Sequence, residues 1–194
     1  MICVSIGSGT PAEAKKVLRN SGFIELRADL LDWGKEEYAE VISSGGKSVF
    51  TCRPGKMDDD RRIELFEIAA KAGARYLDAE IDSNVDFLSS IKKIRNDNSC
   101  SLILSYHNFE LTPPSEILDT ILTDCYLSGA DVAKIACRVY SPADSARLLS
   151  LYTSSGRKVI IGMGMAGKIT RIASAFLGAE FTFASRGDGE ATAD

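Results

Sequence analysis

Short runs of apolar residues, or of apolar residues alternating with polar ones, recur along this chain and are separated by longer stretches whose apolar positions repeat with helical spacing. The runs at residues 2–6, 23–26, 48–52, 76–81, 102–106, 131–136, 158–162 and 179–183 read as strands, eight in all. Between them the spacing predicts helices near 35–44, 60–72, 85–96, 115–128 and 168–177. Two more helices are announced by their starts. Thr10-Pro11-Ala12-Glu13 is a capping box with proline at the first helical position, and Ser141-Pro142-Ala143-Asp144 carries the same cap and proline. Gly73, Gly129 and Gly178 would end three of the helices, since glycine accepts the left-handed conformation found there.

Eight strands alternating with helices, with no linker or low-complexity tract, predict a single α/β domain over residues 1–194, a (β/α)8 TIM barrel. At 194 residues it is of minimal size, where such barrels typically have about 250, and its final helix is expected to be missing. Alternation assigns the faces of the strands. Ile2, Val4 and Ile6 oppose Cys3 and Ser5; Ile24 and Leu26 oppose Glu25 and Arg27; Phe50 and Cys52 oppose Thr51 and Arg53. Leu77, Ala79 and Ile81 oppose Asp78 and Glu80; Leu102, Leu104 and Tyr106 oppose Ser105 and His107; Ala133 and Ile135 oppose Lys134. With the apolar set packed on the helices, six successive strands place polar or ionisable groups inside, near the C-terminal ends where barrel active sites sit.

Composition narrows the function classes. The 27 acidic and 23 basic residues leave a formal charge of −4, and no basic run follows a nucleic-acid backbone. No stretch reaches the ~18 consecutive apolar residues of a membrane span, and the N-terminus lacks a signal peptide's basic region and apolar core. The expectation is a cytoplasmic protein without nucleic-acid or membrane partners. Cys3, Cys52, Cys100, Cys125 and Cys137 are odd in number and form no C-x-x-C pair, which argues against disulfides and zinc.

Lys134 lies in the apolar run Asp131-Val132-Ala133-Lys134-Ile135-Ala136, where a lysine either packs its stem and holds its ammonium at a rim or is used as an amine nucleophile. An amine sheds its proton before adding to a ketone, which desolvation beside Arg27 and Arg53 would favour. His107 is the sole histidine. It is either a packed ring satisfied by a carbonyl or, on the same inward side one strand before Lys134, a base for the proton next to an iminium. Arg27 and Arg53 are either solvated charges paired with nearby acids or planar forks for a small anionic substrate. Gly162-Met163-Gly164-Met165-Ala166-Gly167 satisfies G-x-G-x-x-G, but after the seventh strand rather than in the first βα turn of a dinucleotide-binding domain. It reads as a close approach to a ligand beside the helix of Arg171, or as a tight turn.

Val4-Ser5, Glu25-Leu26-Arg27-Ala28-Asp29, Phe50-Thr51-Cys52-Arg53, Ser105-Tyr106-His107-Asn108-Phe109, the Lys134 run, the glycine segment through Arg171, and Phe181-Thr182-Phe183 together resemble type I 3-dehydroquinate dehydratase, in order over nearly the whole chain. The resemblance implies a barrel lyase without metal or cofactor that dehydrates 3-dehydroquinate to 3-dehydroshikimate in the shikimate pathway of aromatic amino acid biosynthesis. It also implies a homodimer. By this likeness Lys134 forms the Schiff base, His107 is the general acid and base, and Ser5, Glu25, Arg27, Arg53, Arg171 and Phe183 hold the substrate. Thr192 matches the start of a loop that closes the site, with Asp194 standing where the family has proline. The family's glutamate after the third-strand arginine is absent from Arg53-Pro54-Gly55-Lys56-Met57-Asp58, leaving Asp58 or Glu80 as the acid beside His107. Two other readings stay open: another Schiff-base aldolase or lyase, and a non-catalytic barrel that binds a small carboxylate.

Overall fold

The computed structural model describes residues 1–185. Residues 186–194, with Thr192 and the question of a final helix, lie outside the described residues.

The strands β1 (Ile2–Ile6), β2 (Phe23–Arg27), β3 (Lys47–Thr51), β4 (Tyr76–Glu80), β5 (Ser101–Asn108), β6 (Val132–Arg138), β7 (Lys158–Met163) and β8 (Thr182–Ala184) alternate with α1 (Pro11–Ser21), α2 (Lys35–Ser43), α3 (Asp59–Lys71), α4 (Val85–Asp97), α5 (Ser115–Leu127), α6 (Pro142–Ser150) and α7 (Lys168–Ala173). Both anticipated caps form. Thr10 accepts from the Glu13 N–H while Glu13 accepts from the Thr10 N–H at 2.8 Å, and Ser141 and Asp144 do the same at the start of α6. These reciprocal bonds satisfy donors that a helix start leaves open.

All strand pairs are parallel, in the order β7-β6-β5-β4-β3-β2-β1-β8. The Glu180 N–H donates to the Lys158 carbonyl at 3.0 Å, across the seam between the segment leading into β8 and the start of β7. The sheet is therefore a nearly closed (β/α)8 barrel.

Two apolar layers follow from the alternation. Ile24, Leu26, Phe50, Leu77, Leu102, Leu104, Ala133 and Ile135 pack outward on helix residues such as Leu18, Val41, Leu65, Phe87 and Leu118. Cys3, Phe23, Val49, Tyr76, Ile103, Val132, Phe181 and Phe183 fill the interior. Phe181 meets Phe23 edge-on at 4.9 Å and Tyr76 at 5.3 Å, so aromatic rings plug the end of the barrel where the strands begin. The polar inward residues are left at the other end.

The elements depart from expectation mainly near the chain's last third. β5 and β6 run two residues past their expected ends, because the pairs His107↔Ala136 and Asn108↔Cys137 continue the ladder. α7 stops at Ala173 rather than near 177, and successive turns lead through Ser174 to Gly178, whose φ of +90° suits glycine. β8 is correspondingly short, at Thr182–Ala184 instead of 179–183.

Candidate active site

Parallel pairing sets the site's geometry before any side chain is considered. β5 and β6 are neighbours with Ser105↔Lys134 and His107↔Ala136 in register, so His107 stands one inward step nearer the mouth than Lys134. β4 on the other side of β5 aligns Glu80 with Ser105 and Asp78 with Ile103. Three adjacent strands thus contribute Asp78, Glu80, His107 and Lys134 to one inward face.

Lys134 is 3 % exposed. Its Nζ donates to Asp78 Oδ2 at 2.6 Å, lies 4.0 Å from Glu25 Oε1, and sits 4.7 Å from the centre of the Phe183 ring. Glu25 is held in turn by the Thr51 hydroxyl at 2.9 Å and by the Ser5 hydroxyl. The buried amine is therefore solvated by fixed acceptors in place of water. The charges pressed against it are carboxylates, whereas sequence reading had set Arg27 and Arg53 there. Asp78 is also the nearest acceptor for a proton leaving Nζ.

The His107 side chain is 6 % exposed and stacks on Phe109 at 6.0 Å. Arg53 Nη2 lies 2.8 Å from Nε2, and Glu80 Oε1 lies 3.3 Å from Nδ1 without hydrogen-bond alignment. A guanidinium has only donors, so Nε2 accepts, and a neutral ring then carries its proton on Nδ1, facing Glu80. Burial pushes the imidazole well below its ordinary pKa, and the charges of Lys134 and Arg53 push it further. This is a neutral base whose basic nitrogen is the one covered by Arg53.

Of the two acids considered for His107, Glu80 is the neighbour. It also lies 3.8 Å from Arg53 Nε. Asp58 is exposed and caps α3, accepting the Arg61 N–H at 2.8 Å, because a helix start offers its side chain a nearer donor.

Arg27 forms a two-pronged pair with Asp29, at 3.1 and 2.6 Å. Burial opposes both charges, but the mutual hydrogen bonds outweigh it, raising the pKa of Arg27 and lowering that of Asp29. Arg171, on α7, donates from Nη1 to the Phe183 carbonyl at 3.3 Å, which ties it to the strand whose ring faces Lys134. Ser5, Glu25, Arg53 and Phe183 are thus gathered around Lys134 and His107, and Arg171 joins them through β8.

The glycine segment is a packed turn. Gly162 N–H donates to Thr170 Oγ1 at 2.7 Å, and a Cβ built on Gly167 would fall 2.4 Å from the Gly162 carbonyl carbon. Close backbone approach explains both glycines without a dinucleotide. Thr51 and Asp78 were not singled out as site residues from sequence; the alternation of β3 and β4 had placed both inward, and it was the only signal available for them.

A family model for Type I 3-dehydroquinase matches residues 2–193. The 3-dehydroquinate dehydratase of Pyrococcus abyssi is 34 % identical over 183 residues, covering 90 % of this chain and 83 % of its own length. The crystal structure of the 3-dehydroquinate dehydratase from Aquifex aeolicus VF5 superposes with a TM-score of 0.84 at 35 % identity, over 95 % of this chain and 89 % of that one. A 3-hexulose-6-phosphate synthase also superposes, with a TM-score of 0.65 over 95 % of this chain and 89 % of its own, but at 15 % identity that is a likeness of fold alone. Sequence and structure agree along nearly the whole length: this chain belongs to the type I 3-dehydroquinase family.

Proposed function

We propose that this protein is a 3-dehydroquinate dehydratase of the shikimate pathway, converting 3-dehydroquinate to 3-dehydroshikimate through an imine on Lys134, with His107 as acid and base. The observation that carries this reading is the pairing of a buried amine and a neutral imidazole on adjacent strands inside the barrel, Lys134 against Asp78 at 2.6 Å and His107 one step above.

Lys134 passes a proton to Asp78, and its free amine adds to the ketone carbon; loss of water from the adduct gives an iminium. The iminium draws electrons from the neighbouring C–H bond. His107 Nε2 takes that α proton, and the bonding pair moves into the iminium to form an enamine. The imidazolium then gives its proton to the β hydroxyl, which leaves as water while the enamine electrons restore the iminium in conjugation with the new double bond. Hydrolysis releases product and Lys134. Since Arg53 covers Nε2, substrate must draw that guanidinium away before His107 can act, and the substrate's hydroxyls or carboxylate are the groups to do so.

In this reading Ser5, Glu25, Arg27, Arg53, Arg171 and Phe183 hold the ring and its substituents, and Glu80 orients His107. Lys134→Ala is expected to lower turnover of 3-dehydroquinate by about a thousandfold or more while the protein stays folded. A Lys134→Ala protein working at the parent rate would overturn the proposal.

A further inference from the structure

We propose that Arg62, on α3 in the outer ring, is a positioning residue for the reaction: it ties the ends of β3 and β4 together so that Arg53 and Glu80 are held against His107. Its link to catalysis rests on the dehydratase reading. A buried guanidinium is costly, and an apolar side chain of similar volume would fill the same space between α3 and α4. What such a side chain could not do is fix the backbone around it.

The first tie is to β3. Pairing of β3 with its neighbours runs as far as Thr51, so the peptide joining Cys52 to Arg53 lies past the ladder. That peptide is pinned from both sides. Its carbonyl accepts from Arg62 Nε at 3.0 Å and Nη2 at 2.8 Å, and its N–H donates to the Asp29 carboxylate. The second tie is to β4. Arg62 Nη1 donates to Asp59 at 2.6 Å, and Asp59 also accepts from the side chain of Asn84, which caps α4 by accepting the Phe87 N–H at 2.8 Å. Arg62 Cζ lies 4.0 Å from the centre of the Phe87 ring. The turn between Asn84 and Glu80 is closed by the Ser83 N–H, which donates to the Glu80 carbonyl at 3.1 Å.

The side chains that meet at His107 do not lock one another in place. Arg53 Nη2 lies 2.8 Å from Nε2, but Glu80 is 3.8 Å from Arg53 Nε and faces Nδ1 without alignment. Arg53 Nε and His107 Nδ1 are among the buried atoms without a hydrogen bond. Their placement is therefore set by the chain beneath them, and Arg62 is where the two chain segments join. His107 is faced by Lys134 from β6, Asp78 and Glu80 from β4, Arg53 from β3 and Arg27 from β2. Of these, Arg53 and Glu80 follow Arg62; without the tie, Arg53 leaves Nε2, water reaches the ring, and its protonation becomes easier.

His107 is the sole histidine, so a protein labelled at histidine gives one imidazole signal, and its NMR titration reads the site without substrate. The parent midpoint is expected below the ordinary value of about 6.5. Arg62→Met should raise it by about half a pH unit or more and lower kcat/KM for 3-dehydroquinate by about tenfold or more. Arg62→Lys keeps the charge but not the planar fork, and should move both by less. A folded Arg62→Met protein with the parent's midpoint or the parent's kcat/KM would overturn the assignment, as would a parent that titrates at the ordinary value. If Arg62→Met does not fold, Arg62→Lys with the parent's midpoint overturns it instead. Failure of the dehydratase reading shows separately, as parent protein that does not turn over 3-dehydroquinate.

Discussion

A buried ammonium survives at Lys134 because Asp78 and Glu25 replace the water it has lost, and the same carboxylates give its proton somewhere to go. His107 is held neutral by the opposite circumstance, burial beside Lys134 and Arg53. That has a consequence for stability. The native ring resists protonation while the unfolded one takes a proton near pH 6.5, so stability contributed by His107 is present above that pH and is lost as pH falls toward the lowered native value. The melting temperature of His107→Asn should therefore fall less between pH 7 and 5 than that of the parent; equal slopes would show that the native imidazole is not held neutral. Sequence reading reached Lys134 and His107 through their strand context, and Glu80 as one of two acids beside His107, but not Asp78 beside Lys134. The Lys134–Asp78 pair joins residues 56 positions apart, and that contact exists only once β4, β5 and β6 are side by side. Asp58 looked eligible as the acid for His107 because it follows Arg53 closely in sequence, yet its side chain is used by the first turn of α3.

Elements were more legible where a local rule acts alone. The two proline capping boxes start α1 and α6 as expected, and strands β1 to β7 fall within two residues of their anticipated bounds at either end. α7 and β8 were less legible, since tertiary packing of the Gly162–Gly167 turn and the Ser174 turns decides where they begin and end. The connection from β3 to α3 illustrates how an element positions a site. Arg62, 2 % exposed, donates from Nε and Nη2 to the Cys52 carbonyl at 3.0 and 2.8 Å and lies over the Phe87 ring. The residue it clamps immediately precedes Arg53. Arg62→Met keeps much of the volume but leaves that carbonyl unsatisfied, and should cost about 1–3 kcal/mol in urea unfolding. A variant as stable as the parent would mean that the clamp adds nothing to the barrel.

Over the whole molecule, one end of the barrel is closed by rings and the other is lined with charge, which confines the chemistry to a single mouth. The closed end also carries the seam. Glu180 accepts from Arg157 at 2.9 and 2.7 Å and from the Tyr76 hydroxyl at 2.6 Å, joining the approach to β8 with those to β7 and β4. The hydrogen bonds from Arg157 lower the Glu180 pKa to about 2 against the opposing effect of burial, with Tyr76 assisting. A carboxylate lowered in this way stabilises the fold above its unfolded pKa, and that stability is lost as pH falls toward 2. The melting-temperature gap between parent and Glu180→Gln should be widest near neutrality and should narrow between about pH 5 and 2; a gap independent of pH would contradict the seam's ionic character. Eight strands and their faces were readable as a barrel, but this seam was not, because Glu180, Arg157 and Tyr76 come from three distant parts of the chain. Among the described residues, no helix is long and apolar enough to cross a membrane.

The most direct test of the account is the intact mass of the protein after incubation with 3-dehydroquinate and borohydride, followed by peptide mapping. The account predicts a stable adduct carried by Lys134. Folded protein that binds the substrate yet yields no adduct, or an adduct on another lysine, would contradict it.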